Sequence, residues 1–276
     1  MPVHNAISPE KLSRLIALPG SGAIMDVREP LQLTDAIPGS RFPAQPDPLS
    51  WGFDRRTPVV VVDTDGTGAA VSTAAVLRSD GYVAEVLDGG FKAWLAAGLP
   101  TVLLTHLPPR HGDGRTWWVT RARPKVDRIA FPWLIRRFVD PDARFLFVAP
   151  AEVLAVAARE HTEPFEVTDD GVFWSHREER CTFDLMVKAF GLVEHEPLVR
   201  LATIIRGADT DRLDLAPEAA GLLAISLGLS RNHADDHEQL DAGMAIYDAL
   251  YRWARDARGE RHNWASHQPS RATALA

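Results

Sequence analysis

The chain has 276 residues, of which 46% are hydrophobic and 24% are charged, and its formal net charge is −7. These values are typical of a soluble protein with two domains of ordinary size, and they argue against nucleic acid as a partner. No apolar run reaches the roughly 18 residues of a membrane-spanning helix, and the first residues lack a secretory-signal pattern. A single cysteine, Cys181, excludes an intramolecular disulfide, so we expect a cytoplasmic protein without a membrane partner.

The first hundred residues alternate between predicted strands and helices. Ser8, Pro9 and Glu10 are typical of a helix start, because serine caps the helix and proline suits its first position. We predict strands at 23–27, 59–62 and 82–87, and helices at 68–79 and 91–95. The valines at 59–62 are apolar on both faces of a strand, which favours a parallel sheet covered by helices on both sides.

Short motifs in this half resemble the rhodanese family over about residues 7–100. They are DVREP at 26–30, IPGS at 37–40 and DGGFKAW at 88–94, with the valine strand between the last two. The resemblance implies a loop after that strand that begins with a catalytic cysteine and binds anions through its backbone N–H groups. Asp63 or Thr64 stands at the cysteine position. Neither side chain can carry a persulfide, so we predict that the domain is not an active sulfurtransferase.

Elements in the second half are predicted to be mixed, with helices dominating toward the end. Strands are expected at 116–120 and 143–148 and helices at 126–138 and 151–159, with Pro132 kinking or splitting the first helix. The Asp169–Gly171 turn predicts a hairpin between 165–167 and 172–176. Four further helices are predicted by their apolar spacing, at about 182–190, 197–208, 217–229 and 235–255.

Long blocks of this half resemble the C-terminal domain of the chromate-resistance ChrB family, over about residues 116–255. They include RPKVDRIA at 123–130, PWLIRRF at 132–138 and IRGADTD at 205–211. The resemblance implies an association with chromate resistance, often as a regulator or accessory factor. The family's usual N-terminal part resembles a DNA-binding domain and is replaced here, and Phe131 stands where the family often has cysteine. We therefore divide the chain into a rhodanese-like domain (1–105), a linker (106–115), a ChrB-type domain (116–257) and a disordered tail (258–276).

Two sets of polar residues are candidates for a site in the second half. Residues 115–137 carry seven basic groups and one acidic group, and guanidinium groups suit tetrahedral oxyanions. The predicted oxyanion-binding residues are Arg123, Lys125, Arg128, Arg136, Arg206, Asp209 and Asp211. His176, Cys181, His237 and Asp241 are the candidate ligands for a transition metal such as zinc. Each set is also compatible with ordinary surface ion pairs and helix caps.

The sequence thus predicts an accessory or sensing protein of chromate or oxyanion stress, with a rhodanese-like domain that is not catalytic. One alternative is a metal-dependent enzyme whose site lies in the second domain. Another is a protein-interaction scaffold, and a protein partner or self-association stays open.

Overall fold

A computed structural model describes residues 5–29, 33–43, 47–169 and 171–260. Pro30 of the first motif, Asp170 of the predicted hairpin turn and the part of the predicted tail beyond residue 260 lie outside the described residues. Among the helices described, none is both long and apolar enough to cross a bilayer.

The first half is built on a five-stranded parallel sheet. Its elements are β1 (Ala6–Ile7), α1 (Pro9–Leu15), β2 (Ala23–Asp26), β3 (Asp35–Ala36), β4 (Ser40–Arg41), β5 (Val59–Val62), α2 (Gly68–Ser79), β6 (Ala84–Leu87), α3 (Gly90–Ala96) and β7 (Val102–Leu103). The strand order is β1-β6-β5-β2-β4, and β3 and β7 form a separate antiparallel pair. The predicted α/β fold with a parallel sheet is therefore confirmed.

Strand β5 shows why this sheet is covered on both faces. All four of its valines are buried. Val59 and Val61 pack with Ala74 and Leu77 of α2, whereas Val60 and Val62 join the larger core on the opposite face. Because alternate residues of a strand point to opposite sides, only an all-apolar strand suits this position. Helix α2 covers 68–79 as predicted.

The second half combines a three-stranded parallel sheet with a group of helices. Its elements are β8 (Trp117–Arg121), α4 (Asp127–Leu134), β9 (Arg144–Val148), α5 (Val153–Glu160), β10 (Glu163–Pro164), α6 (Thr182–Ala189), α7 (Glu196–Asp209), α8 (Ala219–Asn232) and α9 (Asp236–Arg252). The strand order is β10-β8-β9. Helices α4 and α9 each continue into a π-helical turn, over Ile135–Val139 and Trp253–Ala257. The mixed, helix-rich architecture predicted for this half is confirmed.

The segment from Phe165 to His176 is not the predicted hairpin. It forms a single parallel bridge between Phe165 and Trp174. Both side chains are buried against Phe131, with ring centroids 4.1 and 5.8 Å from it. Burying these aromatic rings outweighs the preference of an Asp-Gly turn for an antiparallel ladder. Pro132 lies inside α4 without splitting it.

The two halves share a continuous core and several backbone contacts. Gly39 N donates to Phe138 O (2.7 Å), and Leu103 N donates to Phe190 O (3.0 Å). Gly39 has φ +80°, and a Cβ there would lie 3.2 Å from the carbonyl oxygen of Arg137. Glycine suits this position because it accepts the left-handed backbone and leaves room for the other half.

Candidate functional site

The loop after β5 is the place where a rhodanese would hold its nucleophile and its anion. Here the Asp63 carboxylate accepts hydrogen bonds from the backbone N–H groups of Asp65 (3.2 Å), Gly66 (2.6 Å) and Ala70 (2.9 Å). Asp63 is 7% exposed. Its own carboxylate thus takes the donors that an anionic substrate would use. Thr64 is exposed, and among the residues described this loop presents no thiol.

Four side chains of the second half converge on one point beneath a surface cleft. They are Asp127, Glu166, His176 and Asp209, and one ligand atom from each lies within 4.8 Å of all the others. His176 Nε2 is 3.0 Å from Asp209 Oδ2, 3.4 Å from Glu166 Oε1 and 3.7 Å from Asp127 Oδ2. Three carboxylates around one imidazole form a donor set that divalent metal ions accept. This group is the candidate metal cluster.

Different elements bring these four residues together. Asp127 begins α4 and Asp209 ends α7, whereas Glu166 and His176 lie in the segment after β10. The backbone N–H of Asp127 donates to Asp209 Oδ1 (3.4 Å), and Phe183 N at the start of α6 donates to Asp127 Oδ2 (3.3 Å). The Thr182 hydroxyl donates to Glu166. Three helix ends therefore hold the carboxylates in place.

The backbone beside the cluster is strained. Val126, immediately before Asp127, has φ +38°, and Glu166 has φ +55°. A positive φ at a β-branched residue is rare and costs on the order of 1–3 kcal/mol. The Tyr247 hydroxyl holds the turn by donating to Val126 O (2.8 Å), and the Gln239 side chain donates to Pro124 O. The fold thus maintains an unfavourable turn that places Asp127.

Negative charge in the cluster exceeds the positive charge that the protein places there. Asp127 is fully buried and its Oδ1 atom has no hydrogen-bond partner. Burial, and then the charges of Glu166 and Asp209, raise the pKa of Asp127 well above its ordinary value. Hydrogen bonds to Asp209 and Glu166 raise the pKa of His176 to about 10. The His176 imidazolium therefore faces the carboxylates of Glu166 and Asp209, while burial favours the protonated form of Asp127. The buried Oδ1 atom of Asp127 has no hydrogen-bond partner, which is costly.

A cleft with a cationic wall opens over the cluster. Its volume is about 810 Å³, and Arg121, Lys125, Arg128 and Arg177 line it together with His176, Glu166 and Asp209. Arg121 has a buried Nε–H without a partner. Arg128 donates to the carbonyl oxygens of Arg121 and Ala122 (3.2 and 3.1 Å). Carboxylates at the base and guanidinium groups on the wall form a bipolar site, which is suited to a cation together with an anionic ligand.

Three of the seven predicted oxyanion-binding residues lie at this cleft, namely Lys125, Arg128 and Asp209. Arg123 instead donates to the carbonyl oxygens of Ser230 and His233 at the end of α8.

The remaining three lie elsewhere. The Arg136 Nη1 atom is 3.7 Å from Asp241 Oδ1, and its guanidinium group lies over the Phe145 ring. Arg206 Nη1 forms an ion pair with Asp184 Oδ1 at 2.7 Å. Asp211 is exposed at a left-handed position, φ +57°. The basic segment is therefore divided between the cleft and structural contacts.

The structure does not gather the four predicted metal ligands, of which only His176 lies in the candidate metal cluster. Cys181 is buried as the N-cap of α6, where its thiol donates to Asp184 (3.4 Å) and burial raises its pKa. The His237 ring packs edge-on against Phe147 at 5.2 Å. Asp241 faces Arg136 at the surface. Helical spacing predicts that His237 and Asp241 share one face, but the described residues do not gather three potential metal ligands there.

Asp127 and Glu166 are the site residues that the sequence did not reveal. A carboxylate in the first turn of a helix is favoured by the helix dipole, so Asp127 already had a local explanation. Glu166 lies within the strand predicted at 165–167, and nothing in its spacing indicated a ligand. The one available hint was that Asp127 is the single acid in a strongly basic segment.

Comparison with known proteins assigns a family domain to each half. Residues 8–97 match the family model of the rhodanese-like domain, and residues 118–254 match that of the ChrB C-terminal domain. The chain thus carries a rhodanese-like domain followed by a ChrB C-terminal domain. A curated relative is Protein ChrB of Cupriavidus metallidurans, 32% identical over 160 residues, which are 57% of this chain and 47% of that protein. The chain thus spans about half the length of the curated relative it matches.

Solved structures match about a third of the chain at low overall similarity. A rhodanese-related protein from Thermoplasma volcanium is 22% identical, with a TM-score of 0.32, and the match covers 36% of this chain and 99% of that one. A thiosulfate sulfurtransferase from Pseudomonas aeruginosa is 25% identical, with a TM-score of 0.31, over 36% of this chain and 19% of that one.

Proposed function

We propose that the second half of this chain is a metal-binding domain, with Asp127, Glu166, His176 and Asp209 as the ligands. The observation that carries the proposal is the fully buried Asp127 carboxyl group, whose Oδ2 atom lies 3.7 Å from His176 Nε2 and whose Oδ1 atom has no hydrogen-bond partner. A cation bound by this carboxyl group would compensate for its burial and balance the excess of negative charge in the cluster. The donor set has three carboxyl groups, one imidazole and no thiolate. It therefore favours an ion such as Mn²⁺, because structural zinc sites are usually rich in thiolates.

Metal titration of the full chain tests this proposal. We expect one equivalent of Mn²⁺ or Zn²⁺ to bind, as measured by calorimetry and by metal analysis after dialysis. Asp209→Asn and His176→Gln should each weaken binding at least 100-fold, because each removes a ligand. Asp214→Asn is the matched control, since its exposed carboxylate pairs only with Arg212. Absence of binding in the wild type, or an equal loss in the control, would contradict the proposal.

We further propose that the cleft accepts an oxyanion and that the chain serves chromate or related oxyanion resistance as an accessory or sensing protein. Support comes from the ChrB C-terminal domain match and from the cationic wall of the cleft. A doubly charged tetrahedral anion would meet guanidinium donors in a partly desolvated place, where charged hydrogen bonds contribute about 1.5–3 kcal/mol each.

Calorimetric titration with chromate and with sulfate, in the presence and absence of Mn²⁺, tests the oxyanion proposal. Arg128→Ala should weaken binding at least tenfold, whereas Arg55→Ala changes the net charge equally at an exposed site of the first half and should leave it unchanged. Weak binding that is the same in all three proteins and disappears with modest salt would leave the cationic wall as a solvated surface.

A metal-dependent enzyme is the second candidate function, and the accessibility of the cluster favours it. The His176 side chain is 37% exposed and lies on the cleft wall, so a substrate could reach a metal held there. Turnover of an anionic substrate that depends on added metal and is lost in Asp209→Asn would support this function. Binding without any turnover would support the sensing role instead.

A further inference from the structure

Helix α8 has its polar and apolar faces reversed relative to an ordinary surface helix. Its buried side carries Ser226 and Ser230 beside Ala219 and Leu222. On its outer side, Ile225 and Leu227 are 45% and 47% exposed. No charged residue lies between Glu218 and Arg231. The apolar stripe of a surface helix normally faces the core, so the exposed apolar side chains give the outer face of α8 the character of a contact surface.

Two glycines on that outer face make no close contact with the described residues. Gly221 and Gly228 are exposed and lie two turns apart, and a Cβ on either would meet nothing within 4 Å. Neither has a positive φ. Glycine in a helix costs about 1 kcal/mol relative to alanine. The fold of the described chain therefore gives no reason for glycine at either position.

Other helical glycines of this protein show what such positions do. A Cβ on Gly207 of α7 would lie 2.9 Å from the Ala219 side chain, and one on Gly243 of α9 would lie 2.6 Å from the Ile129 side chain. In both cases glycine lets two helices approach closely. Gly221 and Gly228 repeat this arrangement on a face that none of the described helices covers.

We propose that α8 binds the same helix of a second copy, antiparallel about a two-fold axis between Ala224 and Ile225. This register places Gly221 opposite the partner's Gly228, where the backbones approach. It also places Glu218 opposite the partner's Arg231 at both ends of the contact. Within the described chain, neither of these two side chains has an ion-pair partner. A parallel arrangement would instead place like charges together, so the charges select the antiparallel dimer.

This inference goes beyond the proposed metal site and is tested without it. Sedimentation equilibrium of the full chain should show a monomer–dimer equilibrium. Ile225→Glu should raise the dissociation constant of the dimer at least tenfold, because it places a charge at the centre of the contact. Leu95→Glu is the matched control, since Leu95 is 49% exposed on α3 and should leave the dimer intact. Circular dichroism establishes that each variant is folded.

Charge reversal tests the register itself. Glu218→Arg and Arg231→Glu should each weaken the dimer, and the double variant should restore it, because the pairs re-form with exchanged signs. A wild-type protein that stays monomeric up to about 100 μM would overturn the proposal, because a dimer with a dissociation constant of about 1 μM would predominate at that concentration. So would a dimer unaffected by Ile225→Glu, an equal effect of Leu95→Glu, or a double variant no stronger than the single ones.

Discussion

Replacing Asp63 by alanine tests whether the loop after β5 depends on its own carboxylate. The substitution removes the acceptor for three backbone N–H groups, of which those of Gly66 (2.6 Å) and Ala70 (2.9 Å) are the shortest contacts. Ala70 N retains a second acceptor, Thr67 O at 3.1 Å, and Asp65 is exposed to water. Gly66 therefore bears most of the loss. Since charged hydrogen bonds contribute about 1.5–3 kcal/mol each, we expect a loss of about 2–4 kcal/mol in unfolding free energy.

Urea denaturation followed by circular dichroism measures this loss. Asp65→Ala is the control, because that carboxylate is exposed and accepts from Thr67 Oγ1, and it should cost less than about 1 kcal/mol. Asp63→Asn retains an acceptor oxygen and should fall between the two. An Asp63→Ala protein as stable as Asp65→Ala would refute the view that the carboxylate replaces a bound anion in this loop.

Three further predictions concern activity and stability. The chain should form no thiocyanate from thiosulfate and cyanide above a control without protein, and activity that persists in Cys181→Ser would contradict this. Asp248→Ala should lower the free energy of unfolding by about 2–4 kcal/mol, as measured by urea denaturation. The reason is that Asp248 accepts two 2.8 Å hydrogen bonds from Arg137 and its side chain is 10% exposed. A decrease below about 0.5 kcal/mol would refute this prediction. Burial lowers the pKa of His195 to about 4, below the value of about 6.5 in an unfolded chain. The unfolded state then takes up the proton first, so stability should fall by on the order of 3 kcal/mol from pH ~6.5 to ~4. His195→Gln should remove this dependence, and an unchanged pH profile would contradict the assignment.

Most elements of the fold could be predicted because their signals are local. Helix α2 spans 68–79 as expected, and Ser8 caps α1 by accepting from Lys11 N. The hairpin failed because its outcome is decided by distant residues. Phe165 and Trp174 are fixed by their packing on Phe131 of α4, and a turn motif carries no information about that contact.

Only two of the four residues of the candidate metal cluster could be identified from the sequence, for the same reason. Asp209 and His176 were singled out by the family resemblance and by residue type, and Asp127 and Glu166 were not. The four lie on segments separated by up to 82 positions, so only the tertiary fold brings them together. His237 and Asp241, in contrast, share a helix face by spacing alone and have separate surface contacts. Periodicity predicts a shared face, but a ligand site requires several faces to meet.

The two halves differ in how they satisfy a buried carboxyl group. In the loop after β5, three backbone N–H groups donate hydrogen bonds to the Asp63 carboxylate, so the chain itself supplies the partners that this buried group needs. Around Asp127 the backbone is strained at Val126, the carboxyl group is buried, and its Oδ1 atom has no hydrogen-bond partner. Strain and a missing partner at one residue are unfavourable for a purely structural group. They are reasonable if a ligand supplies the missing interaction, and this difference supports the proposed metal site in the second half of the chain.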